Sequence, residues 1–383
     1  MRHMEINRYI NLEDKLIAGK VLLIYGPRRT GKTTLLDNLM RTTKLKYLFY
    51  RGDDINAQNI FSVPDSQKLT SVIGRSELLV LDEAQMIPGI GKTLKLLVDS
   101  MPELKIVVSG SASFELAGQV GEPLTGRKYT HYLFPISIEE DIGHQPSPYA
   151  AFHEKLENYM LYGTYPSVLT KIGDTEKKHE LREIVNSYLL KDILALQEVK
   201  SSQFIMQLLA MLAYQVGGVV SMSELASGLG VNKLTVARYI DLLEKSFIIF
   251  RLSGLSRNLR SEIKKSDKFF FYDNGIRNAI IDNFNPLAFR NDVGQLWENF
   301  VIVERNKKRL YYGPSANQYF WRTWKGSEID LVEERAGKYF GYEAKWNSKK
   351  AVSAPDEWLE TYNDQAEWQL VTPENFLPFV GLL

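Results

Sequence analysis

The chain's first reactive grouping is Lys32-Thr33, which sits in the stretch Gly26-Pro27-Arg28-Arg29-Thr30-Gly31-Lys32-Thr33-Thr34. The apolar run Val21 to Tyr25 precedes it, and Leu35 to Met40 reads as a helix. Strand, glycine-rich turn and helix form the context of a phosphate-binding loop. Backbone N–H groups of such a loop wrap a polyphosphate, and Gly26 and Gly31 permit the close approach. Lys32 would reach the β- and γ-phosphates, while the Thr33 hydroxyl would ligand Mg²⁺. A second carboxylate pair, Asp82-Glu83, ends the buried-strand pattern Leu78 to Leu81. Asp82 would hold the Mg²⁺ through water and Glu83 would polarise the attacking water. Ser109, at the tip of a third apolar strand (Leu104 to Val108), is a candidate sensor of the γ-phosphate, or else a helix cap.

A second set lies near the C-terminus: Glu298 or Glu304 on a helix, Asp330 on one strand, and Glu343-x-Lys345 on the next. Glu-x-Lys occurs six times in the chain, so alone it decides nothing. A tight turn at Ala336-Gly337 would set Arg335 opposite Lys338. Counting outward puts Asp330 opposite Glu343, with Cβ atoms about 4.5–5.5 Å apart. Lys345 then falls on the same face. A divalent metal between the two carboxylates would relieve their repulsion, and a surface hairpin neutralised by its lysine is the alternative. This order of carboxylates and lysine resembles the PD-(D/E)xK nucleases, with Ile329 where a proline usually precedes the aspartate. On a helical wheel Glu304 lies nearer the apolar stripe, so the inward glutamate stays open between Glu298 and Glu304.

The chain that must position these groups has 383 residues, 44% of them hydrophobic and 24% charged, which implies two or three globular domains. A net charge of +1 gives no whole-chain case for nucleic acid, so any basic site is a local patch. Without Cys there is no disulfide, thiolate-ligated zinc or thiol catalysis. The first residues carry no signal-peptide core, and no apolar run approaches the roughly 18 residues of a membrane span. A cytoplasmic protein with no membrane partner is expected. Residues 1–20 read as a lead-in helix, with Ile6, Tyr9, Ile10, Leu16 and Ile17 as buried contacts.

The combination GPRRTGKTTLL, LLVLDEAQ, VVSGSAS, LTGR and FPISIEE resembles the prokaryotic AAA-type ATPases that carry a C-terminal domain of unknown function. The resemblance continues through YGTYPSVL, YLLKDIL and FFFYDNGIRNAI. It implies ATP as the nucleotide, association into homo-oligomers, and Arg127 as an arginine finger reaching a neighbour's γ-phosphate, or a structural arginine. The expected fold is α/β, in four segments. Residues 1–140 form the P-loop ATPase sheet and 141–200 a helical lid; 201–285 form a winged helix and 286–383 a restriction-endonuclease-like tail. In the third segment, Leu234, Ala237, Ile240 and Leu243 are taken as the inward stripe and Asn232, Lys233, Thr235 and Arg238 as the outward face. Residues 251–268 add Arg251, Arg257, Arg260, Lys264, Lys265 and Lys268, a local balance of +4 suited either to DNA phosphates or to a solvated face. The expected function is ATP hydrolysis coupled to DNA, with a tail that cuts it. The alternative is an ATP-driven switch whose nuclease fold only binds.

Overall fold

A computed structural model describes residues 6–111, 124–189, 202–255, 267–313, 315–347 and 352–382. Ser113, Arg257, Arg260, Lys264 and Lys265 lie outside them. The chain divides into two compact units: Arg8–Pro135 with Lys245–Phe247, and Met1–Asn7 with Ile136–Glu244 and Ile248–Leu383. The segments read as lid, winged helix and tail thus share one unit. They also share one apolar core running from Ile138 to Val380.

The first unit is a five-stranded parallel sheet built of β1 (Val21–Tyr25), β2 (Tyr47–Arg51), β3 (Leu78–Asp82), β4 (Lys105–Gly110) and β5 (Lys128–Tyr132). Their order is β2-β3-β4-β1-β5. Strands β1 and β3 are buried at every position, as a sheet covered on both faces demands, and Asp82 at the tip of β3 is their one charged residue. Helix α1 (Lys32–Thr42) follows β1; α2 (Ile55–Phe61), α3 (Ser66–Ile73) and α4 (Ile90–Ser100) complete the unit. Ahead of β1, residues 6–20 do not form the expected lead-in helix. A single 3-10 turn, Glu13–Lys15, stands there, Ile10 and Leu12 are buried, and Ile17 is exposed. These contacts are made by irregular chain on either side of the turn instead of a helical stripe.

The second unit begins with α5 (Ile138–Ile142), α6 (Pro148–Tyr162), α7 (Pro166–Leu169) and α8 (Asp174–Glu183). It continues through α9 (Ser202–Tyr214), β6 (Val219–Val220), α10 (Met222–Gly228) and α11 (Lys233–Lys245) to β7 (Ile249–Gly254) and β8 (Asp267–Phe271). Next come α12 (Asn274–Ile280), α13 (Val293–Tyr312), β9 (Asn317–Arg322), β10 (Glu328–Arg335) and β11 (Lys338–Ala344). Helix α14 (Asp356–Tyr362), β12 (Ala366–Val371) and α15 (Phe376–Phe379) close it. Seven strands form one sheet in the order β12-β11-β10-β9-β7-β8-β6. The joint is the parallel pairing of β7 with β9, which fuses the two halves that the sequence kept apart.

On α11 the inward face is Val236, Tyr239, Ile240 and Leu243, while Leu234 is 83% exposed. The expected stripe fails for a geometric reason. At about 100° per residue, Leu234 and Leu243 lie on opposite sides of the helix. Of the basic patch only Arg251 and Lys268 fall within the described residues, and neither presents an open charge. Arg251 pairs with Glu244 at 2.9 Å and Asp267 at 3.4 Å, and Lys268 is buried among carboxylates.

A buried polar knot ties α6, α12 and α13 together. Asp273 caps α12 by accepting from the Ile276 amide at 3.0 Å, and its other oxygen accepts from the Thr164 amide at 2.6 Å. Asn278 donates to the Met160 and Leu161 carbonyls that α6 leaves unpaired at its C-terminus. Lys307 donates to Glu304 at 2.6 Å, to the Ile136 carbonyl and to Thr164, and Glu304 accepts the Ile138 amide at 2.9 Å. Gly163 makes this close approach possible: it has φ +69°, and a Cβ there would stand 2.0 Å from the Asp273 carboxylate. Gly163→Ala is expected to lose at least about 3 kcal/mol, combining backbone strain with an unrelievable clash. Chemical denaturation checks this, and a loss below 1 kcal/mol, roughly what an ordinary surface substitution costs, contradicts it.

Candidate functional site

Parallel register brings four strand tips of the first unit to one level. Ile24 aligns with Ser109, Leu81 with Val108, and Arg51 with Asp82. The turn after β1 holds Gly26, whose missing Cβ would lie 2.2 Å from the Leu133 carbonyl oxygen, and Gly31 at φ +92°. Thr30 is fully buried and closes the loop by donating to the Pro27 carbonyl at 2.9 Å. Lys32, also buried, folds back on the loop and donates to the carbonyls of Gly26 at 3.0 Å and Pro27 at 2.7 Å. Thr33 Oγ1 donates to Asp82 Oδ2 at 2.8 Å. Ser109 donates to the other Asp82 oxygen and accepts the Glu83 amide at 3.1 Å. Pro27, Arg28, Arg29 and Thr34 complete the loop; Arg29, at φ +62°, is a second left-handed position beside Gly31.

These residues fit Mg²⁺. A hydroxyl and a carboxylate at hydrogen-bond distance, on the tips of neighbouring elements, present the hard oxygen donors that cation takes alongside phosphate. Glu83 lies in the left-handed region at φ 51°, the kind of backbone position often found at functional sites. Sequence reasoning missed what holds its side chain. Gln85 donates to the Glu83 carboxylate and to Ser111 Oγ at 3.2 Å, and its own oxygen accepts the Ser111 amide. The only sequence signal was the polar pair Ser109 and Ser111 at one strand tip. Arg8 was missed as well; it braces the loop by donating to the carbonyls of Thr30 and Phe134. Arg127 pairs with Asp99 at 2.7 Å, both side chains being partly exposed.

In the second unit a cavity of about 440 Å³ is lined by Tyr214, Gly217, Glu298, Asp330, Lys345 and Trp346, among others. The β10–β11 register is the expected one: Arg335 faces Lys338 and Leu331 faces Tyr342, across a turn with Ala336 and Gly337 at positive φ. Asp330 accepts the Ala344 amide at 2.9 Å, and Glu343 pairs with Lys345 at 2.6 Å. Of the two candidate helix glutamates, Glu298 faces this cavity. Glu304 is six residues on, held in the polar knot. Behind the lining carboxylates Glu298 and Asp330 is Lys268, 1% exposed, with its Nζ 3.1 Å from Glu298, 2.5 Å from Glu328 and 3.8 Å from Asp330. Neither Lys268 nor Glu328 was assigned here from sequence, since long-range strand pairing places them.

Burial first, and then the Asp330 charge, push the Glu298 carboxyl up to about 8 against the pull of Lys268. Burial and Asp330 likewise raise Glu343 to about 7, and burial raises Asp330 itself. Burial alone would lower the Lys268 ammonium, but the carboxylates of Glu298, Asp330 and Glu328 outweigh it and hold it above its ordinary value.

Residues 18–141 match a family model described as an AAA domain. Residues 153–287 and 293–376 match two further models, each described as a domain of unknown function. The AAA match thus spans nearly all of the first unit, including its five strands and the phosphate loop. Most of the chain is similar to uncharacterized proteins from bacteria and from Methanocaldococcus jannaschii. One from Mycobacterium tuberculosis is 28% identical over 346 residues, covering 89% of this chain and 74% of that one. Another from Haemophilus influenzae is 27% identical over 301 residues, covering 74% of each. A third, from Methanocaldococcus jannaschii, is 22% identical over 344 residues, covering 85% and 74%. Among solved structures, a signal transduction ATPase with numerous domains and a tetratricopeptide repeat sensor, from Pyrococcus horikoshii, aligns at 13% identity and a TM-score of 0.29. That alignment covers 78% of this chain and 44% of that one. Among the described residues no helix is long and apolar enough to cross a membrane.

The raised Glu298 carboxyl makes stability depend on pH. Its folded value of about 8 exceeds the ordinary 4.5, so its contribution is complete below 4.5 and lost as pH rises through 8. Between pH 6 and 8 the unfolding free energy is expected to fall by on the order of 2 kcal/mol, and Glu298→Gln to flatten that slope. Denaturant midpoints across this range check it. Parallel slopes in the two proteins contradict it.

Proposed function

We propose that the protein binds ATP with Mg²⁺, hydrolyses it, and uses the cycle as a switch for its C-terminal half. The contact between Thr33 Oγ1 and Asp82 Oδ2, at 2.8 Å and on the same loop as Lys32, carries this reading. Bound Mg²⁺ would neutralise charge on the phosphates. Lys32 would exchange the carbonyls of Gly26 and Pro27 for phosphate oxygens, while the first-turn amides of α1 face the same anion. Ser109 fixes the Asp82 carboxylate and the Glu83 amide, leaving the Glu83 carboxylate to take the proton of the attacking water. Arg127 would serve a neighbouring subunit in a homo-oligomer. Its partly exposed pair with Asp99 is worth only about 0–1 kcal/mol, so release is cheap.

Lys32→Ala is expected to abolish ATP binding, and Glu83→Gln to keep ATP while losing turnover at least about a hundredfold. Arg127→Ala should keep ATP and lose the rise of specific activity with protein concentration. Phosphate release and a fluorescent-nucleotide titration read both. ATP affinity unchanged in Lys32→Ala would sink the assignment.

A second reading is duplex DNA as partner. The order α9, β6, α10, α11, β7, β8, with β6 and β7 flanking β8, supports a winged helix, and Lys233 and Arg238 are exposed on α11. The exposed Leu234 and Asp241 on the same helix weigh against a wholly basic face. Lys233→Glu with Arg238→Glu should weaken duplex binding and reduce its salt slope by about one per lost phosphate contact. Binding that is absent, or unaltered in that variant, removes DNA from the account.

A further inference from the structure

The carboxylates of the C-terminal cavity fit a divalent metal poorly, and the misfit can be stated oxygen by oxygen. Glu298 Oε1 accepts from Lys268 at 3.1 Å, and its Oε2 lies beneath the Gly217 turn, where a Cβ would come within 2.6 Å. Asp330 Oδ2 accepts the Ala344 amide and Oδ1 faces Lys268. Glu328 pairs with Lys268 through one oxygen and with Arg322 through the other, at 3.7 Å. Glu343 pairs with Lys345 through Oε1, and its Oε2 is buried without a hydrogen bond. Among the described residues no three acidic or imidazole side chains converge as a metal would require.

We infer that Lys268, contributed by β8 from outside the nuclease-like segment, is the resident cation of this site and closes it to divalent metal. A buried ammonium is tolerated only where carboxylates repay its lost hydration, and three of them surround this one. A divalent cation in the same place would sit a few ångströms from a positive charge in a low-dielectric pocket, so the two exclude each other. The consequence is that the cavity receives a ligand by contact and does not hydrolyse a phosphodiester by metal-activated water. This inference is independent of the ATPase reading.

The test is Mn²⁺ binding to the full chain without nucleotide, followed by electron paramagnetic resonance. Wild type should bind no Mn²⁺ in the cavity up to roughly 1 mM, the weak end for carboxylate sites. Lys268→Gln should gain a site at least about tenfold tighter, and adding Asp330→Asn should remove it. A folded Lys268→Gln that gains nothing overturns the inference. Should that variant not fold, the wild type against Asp330→Asn decides. Mn²⁺ held by wild type and lost in Asp330→Asn overturns the inference, and identical, negligible binding by both upholds it.

Discussion

Parallel hydrogen bonding among β1, β4 and β3 is the constraint on which the nucleotide site rests. Strand β4 lies between the other two, so the phosphate loop and the acidic pair cannot touch directly through their backbones. Thr33 reaches across by its side chain to Asp82, and Ser109 on the strand between steadies the acidic pair with one hydroxyl that donates to Asp82 and accepts from Glu83. Ser111, two residues on, repeats the arrangement through Gln85. Asp82 and Glu83 therefore both answer to the tip of a strand that itself carries no charge at that end. Every contact in this chain is short-range once the register is set. The register itself is enforced by strands with no polar face to slip onto.

The second unit solves a different problem, that of keeping ions inside a protein interior. Lys268, Lys307, Glu304, Asp273 and Arg277 are all buried, and each finds charged or amide partners. Paired buried charges are rarely a net gain in stability over apolar packing, though removing one partner is costly. Two clusters result, and α13 passes through both. Its first turns carry Glu298 to the Lys268 cavity. Its middle carries Glu304 and Lys307 to the segment Ile136–Ile138, where the chain enters the unit. A single rigid helix thus fixes the distance between the entry segment and the cavity wall.

How much of this could be read in the sequence depended on the range of the interaction involved. The phosphate loop and its acidic partner were legible because strand, turn and helix are adjacent in the chain. The register of β10 with β11, from Arg335 opposite Lys338 to Leu331 opposite Tyr342, was legible because a two-residue turn fixes hairpin register by counting. The Lys268 position was not. A lysine at the end of a basic run looks like surface, and only the parallel pairing of β7 with β9 brings β8 near β10. The inward face of α11 was misjudged because a strict three-residue spacing drifts about 60° per step around a helix. The choice between Glu298 and Glu304 also exceeded the sequence, since both are buried and only their partners differ.

Anomalous diffraction from crystals grown with Mn²⁺ and a non-hydrolysable ATP analogue tests the central claim most directly. The account predicts one manganese per chain, coordinated by Thr33 Oγ1 near Asp82, and an undisplaced Lys268 between Glu298 and Glu328. A manganese peak between Asp330 and Glu343 with Lys268 swung away, or none at Thr33, would contradict it.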